Sequence, residues 1–178
     1  QVANPAKDCG LTGPDRRMAF SFFQKQEAPL VGSAIYLRAP VASDYAVWAK
    51  LRGDSRHFLE PWEPTWAADE LDKSGYRDRI SRYKKDRLSG IGLAYFVFLA
   101  EDSTLLGGIN LHIKRGVAQS GHIGYWMGER FAGQGYMSEA VDVIKRHAFA
   151  SLGLHRLEAA CIPDNERSVR LLKKAGFT

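Results

Sequence analysis

The sequence predicts one α/β domain: a mixed sheet covered by helices, with a ligand loop at the end of a central strand. Three observations carry that prediction. Apolar residues recur at three-and-four spacing across residues 137–152, the pattern of an amphipathic helix. Short apolar segments at 93–100, 105–113 and 154–162 have the length and composition of strands. Between a further strand at 122–128 and the helix lies Arg130-Phe-Ala-Gly133-Gln-Gly135-Tyr136, a glycine loop.

The elements follow in order. Residues 1–17 are mixed in composition and without periodicity, so a disordered leader is expected there, and the domain is taken as 18–178, beginning at Met18. Residues 35–38 form a short strand. Ser43 and Asp44 cap a helix carrying Tyr45, Trp48, Ala49 and Leu51. Residues 58–66 make a loop stiffened by Pro61 and Pro64, with Trp62 and Trp66 giving large apolar area. A second helix is expected over about 68–88, with Leu71, Ile80 and Tyr83 inward. Strands 93–100 and 105–113 pair as a hairpin around Glu101-Asp102-Ser103-Thr104, and 122–128 lies next.

After the long helix, 154–162 reads as a buried strand parallel to 122–128, so the two form a right-handed crossover unit. Pro163-Asp164-Asn165 then starts a helix with Val169, Leu171, Leu172 and Ala175 on its apolar side, and Gly176 supplies the stop.

Composition bounds the class. At 178 residues and 45% apolar, the chain suits one well-buried domain rather than two. Its two cysteines, Cys9 and Cys161, fall in the leader and in a strand, so no disulfide is expected and a reducing cytoplasm fits. Cys161 reads better as a small core residue than as a nucleophile. No apolar run reaches membrane-spanning length. The net charge is +5, and Arg77, Arg79, Arg82, Lys84, Lys85 and Arg87 crowd one helix, interrupted by Asp78 and Asp86. Such a run is either a solvated face or an attraction for phosphates of a cofactor or of RNA. Base-specific recognition has no aromatic motif to support it.

The glycine loop carries the chemistry. Two glycines let the backbone approach a ligand, and a helix opening there offers N–H groups and the positive end of its dipole to a pyrophosphate. A strand-to-helix turn with no ligand would use the same residues. An NTPase phosphate loop wants Gly-Lys-Ser/Thr, but Tyr136-Met137 follow Gly135. A dinucleotide fingerprint wants a glycine where Ser138 stands, and Glu158 lies inside the next strand instead of closing it.

With Arg130-x-x-Gly133-x-Gly135, Asn165-x-x-Ser168 and Lys174-Ala175-Gly176-Phe177, the chain resembles the GNAT superfamily of acetyl-CoA-dependent N-acetyltransferases. Gly124-Tyr-Trp-Met-Gly-Glu129 ahead of Gly133-Gln-Gly-Tyr-Met is similar to the ribosomal-protein-alanine members. The resemblance runs from about Met18 to the end and implies acetyl-CoA as co-substrate, without a metal. It assigns cofactor contacts to Trp126, Met127, Gly128, Arg130, Ala132, Gly133, Gln134, Gly135, Tyr136, Met137 and Asn165. The family continues with two more strands, so a C-terminally incomplete domain is expected. Residues 58–66 either cap the core between helices or, as the resemblance implies, form an acceptor wall, with Trp62, Trp66 and Tyr125 against the substrate and Glu60 and Glu63 toward a cationic amine.

Acetyl transfer from a thioester needs a neutral amine, a polarised carbonyl and a proton for the leaving thiolate. The resemblance points to Glu129 as the base, acting through water. Many members use a tyrosine as the acid where this chain has Leu172, so Ser168 is its expected replacement. A serine there is otherwise an ordinary capping residue. Tyr125 and His122 are further titratable neighbours. Backbone N–H groups over 125–128 would polarise the carbonyl if the strand splays there.

The expected acceptor is a protein N-terminus, ribosomal by resemblance, with possible proximity to the ribosome. A small amine and a non-catalytic acyl-CoA sensor remain the alternatives. The protein is expected to act as a monomer or homodimer, away from membranes and without sequence-specific nucleic-acid binding.

Overall fold

The computed structural model describes residues 28–114, 116 and 119–178. The expected leader, Met18 and Cys9 lie outside the described residues. Six strands form one sheet in sequence order: β1 (Leu30–Val31), β2 (Ile35–Arg38), β3 (Gly92–Leu99), β4 (Leu105–Lys114), β5 (Ser120–Met127) and β6 (Arg156–Ala159). The first five pair antiparallel, and β6 alone runs parallel to its neighbour β5. Among the described residues five α-helices accompany them: α1 (Tyr45–Asp54), α2 (Arg56–Leu59), α3 (Lys73–Ser89), α4 (Tyr136–Arg146) and α5 (Glu166–Lys174).

β3 explains the layering. Its side chains alternate between faces, and nearly all are buried, as in a strand covered on both sides. Leu93, Tyr95 and Val97 join a core with Ile109, Leu111, Ile123 and the α4 residues Ala140, Val141 and Ile144. Phe96 and Phe98 face the other way, into a cluster with Trp48 and Leu51 of α1 and Tyr76 and Ile80 of α3. The sheet therefore has a helix layer on each face.

Asp44 departs from the expected cap. It receives no cap bond from the first turn of α1; instead its carboxylate takes both Arg38 guanidinium nitrogens, at 2.8 and 2.7 Å, and the Val41 N–H at 2.9 Å. The buried carboxylate thus ties β2 to the start of α1.

Three expectations about elements are corrected. α3 starts at Lys73 rather than near residue 68, because Asp72 holds extended backbone and residues 68–71 form turns. Leu71 therefore packs from outside the helix. Residues 58–66 are not one loop, since α2 and a 3-10 turn over Glu60–Trp62 occupy their first half. The strand expected at 154–162 is only β6, four residues long and only partly covered. Among the described residues β6 has no strand on its far side, so the burial expected of an interior strand is missing.

The charged face of α3 is not wholly solvated either. Arg79 donates to Glu70 at 2.6 Å with its guanidinium over Trp48, and Arg87 lies over Tyr95.

The parallel pairing of β5 and β6 across an intervening helix follows expectation. α4 continues through a π-helical turn, His147–Ser151, and returns the chain to β6. α5 stops at Gly176, φ +85°, where the N–H groups of Gly176 and Phe177 donate to the Lys173 and Leu172 carbonyls, the paired bonds of a Schellman motif. Lys145 Nζ from α4 donates to the Ala175 carbonyl at 2.5 Å and locks the two helix ends together.

Close approach of β4 and β5 depends on Gly107. A Cβ there would fall 2.3 Å from the Trp126 carbonyl oxygen and 3.0 Å from Met127 Cα, both backbone atoms that cannot swing away. Gly107→Ala is expected to destabilise the protein by about 1–3 kcal/mol, the range for overpacking, read as a lowered denaturation midpoint.

Candidate active site

The decisive geometry lies where β5 and β6 part. Their parallel ladder ends at Ile123↔Ala159, while β5 stays paired with β4 as far as Met127↔Gly107. Over residues 124–127 the β5 edge that faces away from β4 has no strand partner among the described residues. The chain beyond β6 turns off through residues 160–165 into α5 and leaves a cleft of about 1110 Å³. Its walls are the end of β5, the loop from Glu129 to Gly135, the first turn of α4, residues 160–162, α5, and α2 with its following turn.

The loop has the conformation its glycines require. Gly133 and Gly135 sit at φ +80° and +90°, and no heavy atom lies within 4 Å of where a Cβ would stand on either. Gly135 is the N-cap of α4 and offers no side chain to its first turn, so the leading N–H groups open toward the cleft. Glu139, one turn on, binds the Ser33 and Ala34 N–H groups and pins the β1–β2 turn to α4. Among the described residues no side chain fills the notch.

The opposite helix start is capped. Asn165 Oδ1 accepts the Ser168 N–H at 3.1 Å, a cap that holds the first turn of α5 in the cleft wall. The Ser168 hydroxyl meets the Tyr125 hydroxyl at 2.6 Å and bridges α5 to β5 across the gap. Burial raises the Tyr125 phenol above its ordinary value, and the Ser168 hydrogen bond offsets part of that rise. Leu172 is buried beneath α5 and is not part of the wall.

Glu129 stands at the start of a 3-10 turn directly after β5, exposed to the cleft. Its N–H donates to the hydroxyl of Ser55, a buried serine 74 residues earlier in the chain. That tie brings α2 across, and His57 Nε2 comes to 3.1 Å from Glu129 Oε2.

Most residues expected at the site line the cleft: Tyr125, Trp126, Met127, Glu129, Ala132, Gly133, Gly135, Tyr136, Met137, Asn165, Ser168 and Trp62. Four do not. Gly128 is buried because the Leu51 side chain packs where its Cβ would be. Arg130 turns its guanidinium over Phe131, 4.5 Å from the ring centre. Gln134 closes the loop on itself by donating to the Arg130 carbonyl at 2.8 Å. Trp66 is buried, with Nε1 donating to Glu63 at 2.8 Å, and is not an acceptor wall.

Glu60 and Glu63 are likewise not free to meet an amine. Arg52 grips Glu63 through both terminal nitrogens, at 3.1 and 2.6 Å, and Arg56 holds Glu60 at 2.7 Å. The Arg52 guanidinium is itself enclosed by rings, 4.4 Å from the centre of Trp66 and 5.1 Å from that of Trp126. Cys161 lies past the end of β6 rather than in a strand core; it is half-buried and lines the cleft.

Sequence reasoning missed His57, Ser55 and Arg52. Each reaches its partner only through the fold, and no local spacing marks them.

The chain matches the model of the GNAT acetyltransferase domain over residues 34–178. It is 36% identical over 149 residues to the probable N-acetyltransferase YjcK of Bacillus subtilis, covering 83% of this chain and 82% of that one. It is 30% identical over 125 residues to the ribosomal protein uS5-alanine N-acetyltransferase of Escherichia coli, covering 70% of this chain and 64% of that one. Among solved structures, the ribosomal-protein-S5-alanine acetyltransferase of Vibrio fischeri superposes with a TM-score of 0.78 at 27% identity, over 85% and 84% of the two chains. Mycobacterium smegmatis RimJ, solved in complex with CoA-disulfide, does so at 0.75 and 26%, over 83% and 77%.

The chain belongs to the GNAT acetyltransferase family, enzymes that transfer an acetyl group from acetyl-CoA to an amine. The open notch and uncapped helix start fit the co-substrate's phosphates. No group of three or more metal-ligating side chains occurs among the described residues, and none of their helices is long and apolar enough to cross a membrane.

Two outcomes follow. Gly135→Val, which replaces a positive-φ glycine at the cradle, is expected to weaken coenzyme A binding at least 10-fold by calorimetry; unchanged affinity would contradict the cradle. Arg52→Met, which leaves the half-buried Glu63 carboxylate without its arginine, is expected to cost about 1–3 kcal/mol in denaturant unfolding.

Proposed function

We propose that the protein acetylates the N-terminal amine of a protein, a ribosomal protein being the acceptor class its relatives favour, and that it works in the cytoplasm. One observation carries the choice. The carboxylates of the acceptor wall, Glu60 and Glu63, are neutralised by arginines, which leaves Glu129, partnered by an imidazole, as the carboxylate able to take a proton at the end of β5. Deprotonating an α-amine of pKa near ~8 costs about 1 kcal/mol at pH 7, whereas a lysine near ~10.4 costs roughly 4.6 kcal/mol. A single exposed base suits the first task.

In this reading the chain's own groups divide the work. The notch at Gly133 and Gly135 and the leading N–H groups of α4 hold the phosphates. Acetyl-CoA supplies an acyl group activated as a thioester. Unpaired N–H groups along residues 124–127 stabilise the negative charge that develops on the acyl oxygen. Glu129 takes the amine proton through water, Ser168 stands on the leaving-group side, and Trp62 with Tyr125 walls the acceptor. Transfer is direct, with both substrates in the cleft together.

Thiol release tests the reading. A peptide beginning with Ala or Ser is expected to release coenzyme A while spermidine is not; turnover with spermidine alone would favour a small-amine enzyme. Coenzyme A binding without turnover on a broad amine panel would favour a sensor. Changing Glu129 and Ser168 together to Ala is expected to cut turnover about 10²-fold with cofactor affinity intact.

A further inference from the structure

Ser168 cannot act alone. An alcohol is a far weaker acid than the thiol it would protonate, so a serine that gives up its proton must receive one in the same step. The structure supplies one candidate donor to it. Tyr125 reaches across from β5, and its hydroxyl lies 2.6 Å from Ser168 Oγ. The Asn165 cap holds Ser168 in place from behind.

We propose that the Tyr125 phenol is the proton reservoir behind Ser168, a positioning residue whose hydroxyl orients the serine and refills it as the leaving group departs. The inference rests on the acetyl-transfer reading above and deepens it. The carbonyl carbon–sulfur bond breaks with its electron pair on sulfur, the Ser168 proton goes to that sulfur, and the Tyr125 proton goes to Ser168. Solvent reprotonates the phenolate, and the proton that Glu129 takes from the amine returns to solvent, so none is gained or lost.

The surroundings suit a reservoir. The phenol is half-buried, and burial holds it protonated above the ordinary phenol range, so it stays loaded at neutral pH. The groups that bear on its ionisation are Ser168 from α5 and the Cys161 thiol from the segment after β6, with no charged side chain among them. The other titratable pair of the cleft, His57 and Glu129, engages itself on the opposite wall.

Tyr125→Phe removes only the hydroxyl and keeps the ring. It is expected to lower kcat about 10²-fold while the peptide KM and the coenzyme A affinity stay unchanged. Tyr125→Phe combined with Ser168→Ala is expected to be no slower than Ser168→Ala alone, because the two act as one unit. A second readout needs no turnover: in tyrosine-labelled protein without ligands, the NMR resonance lost in Tyr125→Phe is expected to titrate above the ordinary phenol range and to move higher still in Ser168→Ala. Wild-type kcat in Tyr125→Phe, additive losses in the double variant, or weakened coenzyme A binding alongside a raised KM would each overturn the relay, the last by making the contact a structural clamp. An inactive wild type on every amine would overturn the acetyl-transfer reading and the relay with it; an active wild type with an equally active Tyr125→Phe overturns the relay alone.

Discussion

The whole site depends on a ladder that stops. Parallel strands ordinarily pair along their length, since each unpaired backbone group is costly once removed from water. Here β5 keeps its bonds to β4 to the end, but β6 leaves after Ile123↔Ala159. That single departure frees one edge of residues 124–127, opens the cleft and turns the chain toward Asn165. It also sets Tyr125 facing Ser168 with a gap between their elements that one hydrogen bond spans. The glycine loop then needs only to place the start of α4 at the mouth of the opening. A sheet with complete pairing there would leave no room for a ligand.

Two kinds of polar contact keep the opening in shape. The Asn165 cap and the Tyr125–Ser168 bond hold the α5 side, while Ser55 draws α2 onto the Glu129 turn. Behind α2, Arg52 sits among tryptophans and neutralises Glu63. A partly buried ion pair of this sort is weak as a source of stability but costly when one member is lost. Its effect here is to take negative charge away from the wall and leave Glu129 as the carboxylate at the strand end that is not held by an arginine.

How much of this the sequence discloses depends on how local each feature is. Positive φ at Gly133 and Gly135, the Schellman stop at Gly176 and the helix behind the loop all follow from residues within one or two turns of each other, and each stands where the spacing puts it. Strands β2, β3 and β4 fall within a residue or two of their predicted bounds, because alternation and apolar runs are local as well. Residues 58–66 could be read either as core capping or, by resemblance, as acceptor wall, and Trp66 takes the first course, buried with the Arg52 guanidinium of α1 against its ring. Residues 154–162 misled because apolar content was read as burial, and only four of them pair with β5. His57 beside Glu129 was invisible because the contact is made by Ser55 reaching far along the chain. Long-range ties of this kind carry no periodicity to read.

The central claim is that the parted strands and the bare start of α4 together form the coenzyme site. Titrating isotopically labelled protein with coenzyme A and following the backbone amide resonances tests it most directly. The account predicts that the largest shifts fall on residues 133–138 and 124–127, with the basic face of α3 unmoved. Largest shifts on α3, or none in the glycine loop at saturation, would contradict it.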